Sequence, residues 1–289
     1  LRNTPMNKRE VEQSIYTDLS RDDDYGGYLQ LDQLLSAQHP LSEPPHHDEM
    51  LFIVQHQVAE LWMKLAIHEI GGAIRHIQKD LLAPAVKNLA RVRHIQNQLN
   101  NQWTVLETLT PSEYAGFRHV FGKASGFQSA QYRILEFLLG NKNRSTLSVH
   151  KHQPEWQARL LTALESPSLY DEFLIYLARR GMAIPKRVID RDFSEVRDED
   201  PEVIATLGTI YHDRVRHWDP YEACEALVDI GNNFQFWRFR HMKTVERIIG
   251  YQRGSGGSSG VPFLKKALDM EFFPELLSVR TEIGDNGDA

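Results

Sequence analysis

The stretch Leu227-Val228-Asp229-Ile230-Gly231-Asn232-Asn233-Phe234-Gln235-Phe236-Trp237-Arg238-Phe239-Arg240-His241-Met242-Lys243-Thr244-Val245-Glu246-Arg247-Ile248 decides the fold class. Leu227, Ile230, Phe234, Trp237, Val245 and Ile248 recur in steps of three and four. That is the period of an α-helix with one apolar face. His241 falls four residues after Trp237 and four before Val245, so it lies on the stripe and faces the interior. The helix is expected from about Glu222 to Ile249, and an apolar face that long needs other helices to cover it.

Working outward, the same period recurs. Pro44-Pro45 stop one segment, and Asp48-Glu49 suit the first turn of the next helix, from about His47 to Lys79. Phe52, Leu61, Leu65 and Ile70 repeat along it at helical spacing. A further helix is expected from about Pro84 to Leu109, with Leu89, Val92, Leu99, Trp103 and Leu106 on one face. Thr110-Pro111-Ser112-Glu113 is a capping box with proline at the first helical position. Ser168 with Asp171 repeats the signal, and Gly181 is placed as a C-cap after Arg179-Arg180. Val261-Pro262 restart a helix. Alternating strand patterns are rare, with room for a strand or two near 185–195. The expected fold is all-α, a helical bundle. Residues 1–24, with the charge run Arg21-Asp22-Asp23-Asp24, read as an N-terminal arm. Residues 25–289 read as a single domain.

Composition narrows the function. The 289 residues are 41% hydrophobic and 25% charged, enough to bury a large core. A net charge of −6 with no dense Lys/Arg run gives no electrostatic footprint for nucleic acid. No apolar run approaches the ~18 residues of a membrane span. Leu1-Arg2-Asn3-Thr4 shows no apolar signal core. The single cysteine, Cys224, excludes an internal disulfide and the C-x-x-C-H of a c-type haem, and points to a reducing cytoplasm. Thirteen histidines and five tryptophans stand out.

Four places offer chemistry, each with a plainer alternative. His241 is either a buried core histidine or the axial ligand of a haem held between helices, where neutral imidazole suits ferrous iron. In the second case an acceptor on its other ring nitrogen is expected. His56 follows Phe52 by four, so the pair is either simple packing or a ring-lined grip for a flat heterocycle with one N–H. Tyr114 and Arg118, four apart on the helix opened by the capping box, are either a surface cation–π pair or a carboxylate clamp. The glycine–serine run Arg253-Gly254-Ser255-Gly256-Gly257-Ser258-Ser259-Gly260 is either a mobile surface loop or a close backbone approach to a ligand, with Ser255 accepting from an ammonium group. Its glycines miss the G-x-G-x-x-G spacing by one, and no Gly-Lys-Ser/Thr closes it. H-E-x-x-H is absent, prolines 44 and 45 preclude a helix at Glu43-x-x-His46, and His150-x-His152 is a lone pair.

At these residues the chain resembles the bacterial tryptophan 2,3-dioxygenase family, from Tyr25 to about Arg280. The matching blocks are Tyr25-Gly26-Gly27-Tyr28-Leu29, His46 to His56, Leu106 to Tyr114 with Phe117-Arg118, Ser125-Gly126-Phe127-Gln128-Ser129, Phe236 to Met242, and the glycine–serine loop. The resemblance implies a dioxygenase that converts L-tryptophan and O2 to N-formyl-L-kynurenine. It implies one b-type haem per subunit, ferrous in the active form and ligated by His241, with Trp103, Ser125 and Gly126 beside it. His56 is expected to hydrogen-bond the indole N–H and Arg118 to pair with the carboxylate, next to Tyr114. Phe52, Ile53, Val54, Gln55 and Tyr28 are expected to line the pocket, and Ser255 to hold the ammonium group. The implied assembly is a homotetramer, a dimer of dimers whose arm, with Tyr28, reaches a neighbouring subunit. Ser255 stands where the family usually has threonine. A non-catalytic haem sensor or carrier, a dioxygenase of other indoleamines and a cofactor-free helical scaffold are the rival readings.

Overall fold

The computed structural model describes residues 11–20 and 24–284. The first ten residues of the expected arm, and most of its charge run, lie outside the described residues. Residues 11–20 contain only a turn and are exposed. Among the described residues there is no strand. The stretch 185–195, left open for one, holds a short helix instead, Lys186–Ile189. The chain is all-α.

The helices, in chain order, are α1 (Tyr25–Leu29), α2 (Leu31–Leu35), α3 (His47–Gln78), α4 (Leu82–Asn101), α5 (Trp103–Leu106), α6 (Pro111–Phe117) and α7 (Ala130–Leu139). They continue with α8 (Pro154–Glu165), α9 (Leu169–Arg179), α10 (Lys186–Ile189), α11 (Pro201–His212), α12 (Trp218–Ile249), α13 (Val261–Lys266) and α14 (Pro274–Gly284).

Three long helices frame the molecule. α3 starts where His46 caps it, Nδ1 accepting from the Asp48 N–H at 3.3 Å. A short turn then reverses the chain into α4. The pairing of Asn88 with both Glu69 and His76, and of Arg91 with Glu69, fixes an antiparallel hairpin. α12 runs parallel to α4: Arg93 meets Asp229, Gln96 donates to the Ile230 carbonyl at 3.0 Å and Asn100 to that of Asn233 at 3.3 Å. Leu89, Val92, Ile95 and Leu99 fill the seam with Leu227, Ile230 and Phe234, all buried. Burial of this kind is worth roughly 1.5–3 kcal/mol per large apolar side chain. α7 joins the bundle through a buried ion pair, Glu136 with Arg238 at 3.0 Å.

Some boundaries differ from the sequence reading. α12 begins at Trp218, ahead of the expected Glu222, because Pro220 sits in its first turn, where the missing N–H has no helical partner. The expected helix from Pro84 to Leu109 is two, α4 and α5, divided at Gln102, whose carbonyl takes an i+3 bond from Val105. That break aims Trp103 at α12. On α3 the expected repeat holds at Ile70, but Leu61 and Leu65 are 47% and 38% exposed. The buried seam follows Met63, Ala66, Ile70, Ala73, Ile74 and Ile77. Both capping boxes form, at Thr110/Glu113 and Ser168/Asp171, and Gly181 follows α9 with φ +83°.

Candidate active site

The distal halves of α3 and α12 converge beside α5 and α6. His241 stands on α12, its ring stacked on Trp103 at 5.2 Å and 15° and tilted against Trp237 at 5.3 Å. Among the described residues its ring has no hydrogen-bond partner. Burial pushes its pKa down to about 4, and the nearby His56 adds to the shift. The ring is therefore neutral at physiological pH. The same coupling places the two imidazoles within electrostatic reach of each other.

His56 stands on α3, its ring 4.1 Å from that of Phe52, as the four-residue spacing requires. Nδ1 lies 2.7 Å from the Phe52 carbonyl oxygen, which can only accept. Nδ1 thus carries the proton, and Nε2 is left with a lone pair. Burial pulls the His56 pKa below 6.5, outweighing the raising effects of that bond and of Glu60. His56 nonetheless keeps an exposed surface, and His241 is half-exposed.

Phe52 anchors an aromatic wall. Phe121 stacks on it at 4.6 Å and 21°, and Tyr114 and Phe117 each stand 5.9 Å away. Ile53 and Gln55 are half-buried and Val54 is 38% exposed on the same helix. Phe121 was not singled out from sequence. Its spacing of four from Phe117 was visible, but α6 ends at Phe117 and a 3-10 turn, Arg118–Phe121, carries the ring inward. For the same reason Arg118 caps α6 rather than sitting within it, while its guanidinium still lies 5.9 Å over the Tyr114 ring.

The glycine–serine loop closes on this turn. Arg118 donates to the Gln252 side-chain oxygen at 2.6 Å and to the Arg253 carbonyl. Ser255 Oγ donates to the Ala124 carbonyl at 2.5 Å. Gly256 backs against Ser125, where a Cβ would stand 2.6 Å from the serine Cβ, so only glycine allows this approach. Ser125 caps the short turn that starts at Gly126. Tyr28 is not brought to these residues in this chain; it is 84% exposed on α1.

The residues fit a flat prosthetic group. Among the described residues, the buried indole N–H groups of Trp103 and Trp237 have no hydrogen-bond partner. A neutral imidazole flanked by two indole rings offers a ligand atom and flat walls to a planar group. Among the described residues no three His, Cys, Asp or Glu side chains converge in a metal-holding cluster.

Comparison with known proteins matches the sequence to a family. The model of the tryptophan 2,3-dioxygenase family matches residues 10–208 and 202–283. A tryptophan 2,3-dioxygenase of Kineococcus radiotolerans is 58% identical over 278 residues, 96% of this chain and 97% of that protein. One of Serratia proteamaculans is 58% identical over 279 residues, covering 96% and 100%, and one of Myxococcus xanthus 57% over 279, covering 96% and 96%. The chain belongs to the tryptophan 2,3-dioxygenase family. The family is haem-dependent, which accords with a neutral imidazole flanked by two indole rings. Among the described residues, no helix is long and apolar enough to cross a membrane.

Proposed function

We propose that this chain opens the indole ring of L-tryptophan at the C2–C3 bond with O2, giving N-formyl-L-kynurenine, with haem b held by His241. The observation that carries the reading is two imidazoles from separate helices within electrostatic reach of each other, His241 among indoles and His56 at the head of an aromatic wall. Trp103, Ser125 and Gly126 border the cofactor, one per subunit and ferrous in the active form. When bound, the haem supplies the centre that activates O2. Both oxygen atoms enter the product, so no external reductant is consumed per turnover.

The protein's part is orientation and charge placement. His56 Nε2, left as an acceptor by the bond from Nδ1 to Phe52, takes the indole N–H. Phe52, Ile53, Val54 and Gln55 wall the ring. Arg118 takes the carboxylate beside Tyr114, with the charge-assisted geometry that guanidinium favours. Ser255 commits its proton to Ala124, so its lone pairs accept from the ammonium group. Tyr28 reaches the pocket of a neighbouring subunit with the arm, in a tetramer built as a dimer of dimers. Residues 25–289 form the single catalytic domain, working in the cytoplasm.

The test is anaerobic reduction of the haem-loaded protein, addition of L-tryptophan and then O2, with absorbance at the formylkynurenine band. Product from L-tryptophan in preference to D-tryptophan and tryptamine is expected. A haem spectrum without product would make the protein a sensor or carrier.

A further inference from the structure

Arg118 has an unusual set of partners for a half-buried cation. Among the described residues no carboxylate lies within ion-pair distance of it. Its terminal nitrogens take two neutral oxygens instead, one each: the Gln252 side-chain amide and the Arg253 main-chain carbonyl. One oxygen on each terminal nitrogen is the pattern a bidentate carboxylate makes. Gln252 is also well placed to persist there. Its N–H donates to the Ile249 carbonyl at 3.2 Å, at the end of α12. Its own carbonyl lies against Gly260, where a Cβ would stand 2.5 Å from that oxygen, and Gly260 adopts φ +72°. Ser255, three residues on, is tied to Ala124. The loop is pinned on both sides of the amide.

We propose that Gln252 is a competing cap on the clamp: its side-chain amide stands in for the substrate carboxylate on Arg118 and yields only to a ligand that brings one. This rests on the reading of Arg118 as the carboxylate clamp. The physical reason is an exchange of hydrogen bonds. A carboxylate makes charge-assisted bonds to guanidinium about twice as strong as those of a neutral amide. The displaced amide is exposed and recovers its bonds from water, so the exchange favours an amino acid. An indole amine without a carboxylate gains nothing at Arg118 and leaves Gln252 in place. The cap thus lowers apparent affinity for tryptophan by the fraction of Arg118 it occupies, while a ligand without a carboxylate binds as if the cap were absent.

The experiment is calorimetric titration of the haem-loaded enzyme, O2 excluded, with L-tryptophan and with tryptamine. Gln252→Leu removes the cap, and the tryptophan Kd is expected to fall about 3- to 10-fold, the worth of one modest hydrogen bond. Gln252→Glu installs a charged competitor, and the Kd is expected to rise at least about 10-fold. Tryptamine binding is expected to change less than about two-fold in either variant, since it never contests Arg118. Gln252→Ala repeats the direction of Gln252→Leu and guards against a local effect of the larger side chain. Weaker or unchanged tryptophan binding in Gln252→Leu and Gln252→Ala, or tryptamine following tryptophan through the series, overturns the proposal. Arg118→Met separates the two readings. If it weakens tryptophan binding while the Gln252 series is flat, only this inference fails. If it leaves tryptophan binding intact, the clamp itself is wrong.

Discussion

His56 and His241 stand on α3 and α12, helices whose buried faces are locked through α4, whereas Arg118 and Ser255 stand on a 3-10 turn and a glycine-rich loop. The contrast separates two physical tasks. An imidazole that must meet an iron or an indole N–H needs a fixed position, and a helix packed on its neighbours over many turns supplies it. A clamp that must exchange one partner for another needs low-cost local movement, which turns and loops with exposed hydrogen bonds provide.

The largest test of that division is His241→Ala, expected to abolish stable haem binding; a normal Soret band would break the assignment of the fixed half. Next is Arg118→Ala, in the movable half. Loss of a charge-assisted pair worth roughly 1.5–3 kcal/mol should lower kcat/KM at least ~10-fold with haem retained. Gly116→Ala probes the join between the halves. A Cβ there would stand 2.7 Å from the His46 ring, which is itself held at the start of α3. A loss of about 1–3 kcal/mol is expected in denaturant unfolding, and unchanged stability would show that the join gives way freely.

His56→Ala should reduce turnover by about 3- to 10-fold, the worth of one hydrogen bond, while haem stays bound. Loss of haem instead would mean that the two histidines have been exchanged. The same residue has a pH signature. Because its pKa is lowered from 6.5, Nε2 remains an acceptor as the solution falls through pH 6.5, and the acid limb of kcat/KM should lie below that value. The smallest effect is expected for Ser255→Thr. A β-branched side chain restricts the rotamer and should lower KM by about 2- to 5-fold, from ~0.5–1 kcal/mol of ordering. An unchanged KM would place the ordering elsewhere in the loop.

Much of this was legible before any coordinates. The period of three and four put His241 on the inner face of α12, and it is there, between two indoles. Phe52 and His56 share a face and touch, and both capping boxes form. These are local facts: spacing along one helix decides which residues share a face, and a side-chain oxygen three residues from an N–H decides where a helix begins.

Other features depend on partners distant in sequence. Periodicity does not say which of two apolar stripes on α3 meets the core, and Leu61 and Leu65 lie on the one left outside. Nothing local marks the break at Gln102 that turns Trp103 toward His241, or the tightening after Phe117 that carries Phe121 onto Phe52. The contact of Gln252 with Arg118 spans 134 residues. The sequence alone determined helices, caps and the family, because these follow from neighbours within one or two turns and from ordered motifs. The tertiary structure decided that His56 and His241 come within electrostatic reach of each other and that Arg118 begins with an amide in its grip, because both require separate helices and a loop to pack into one place.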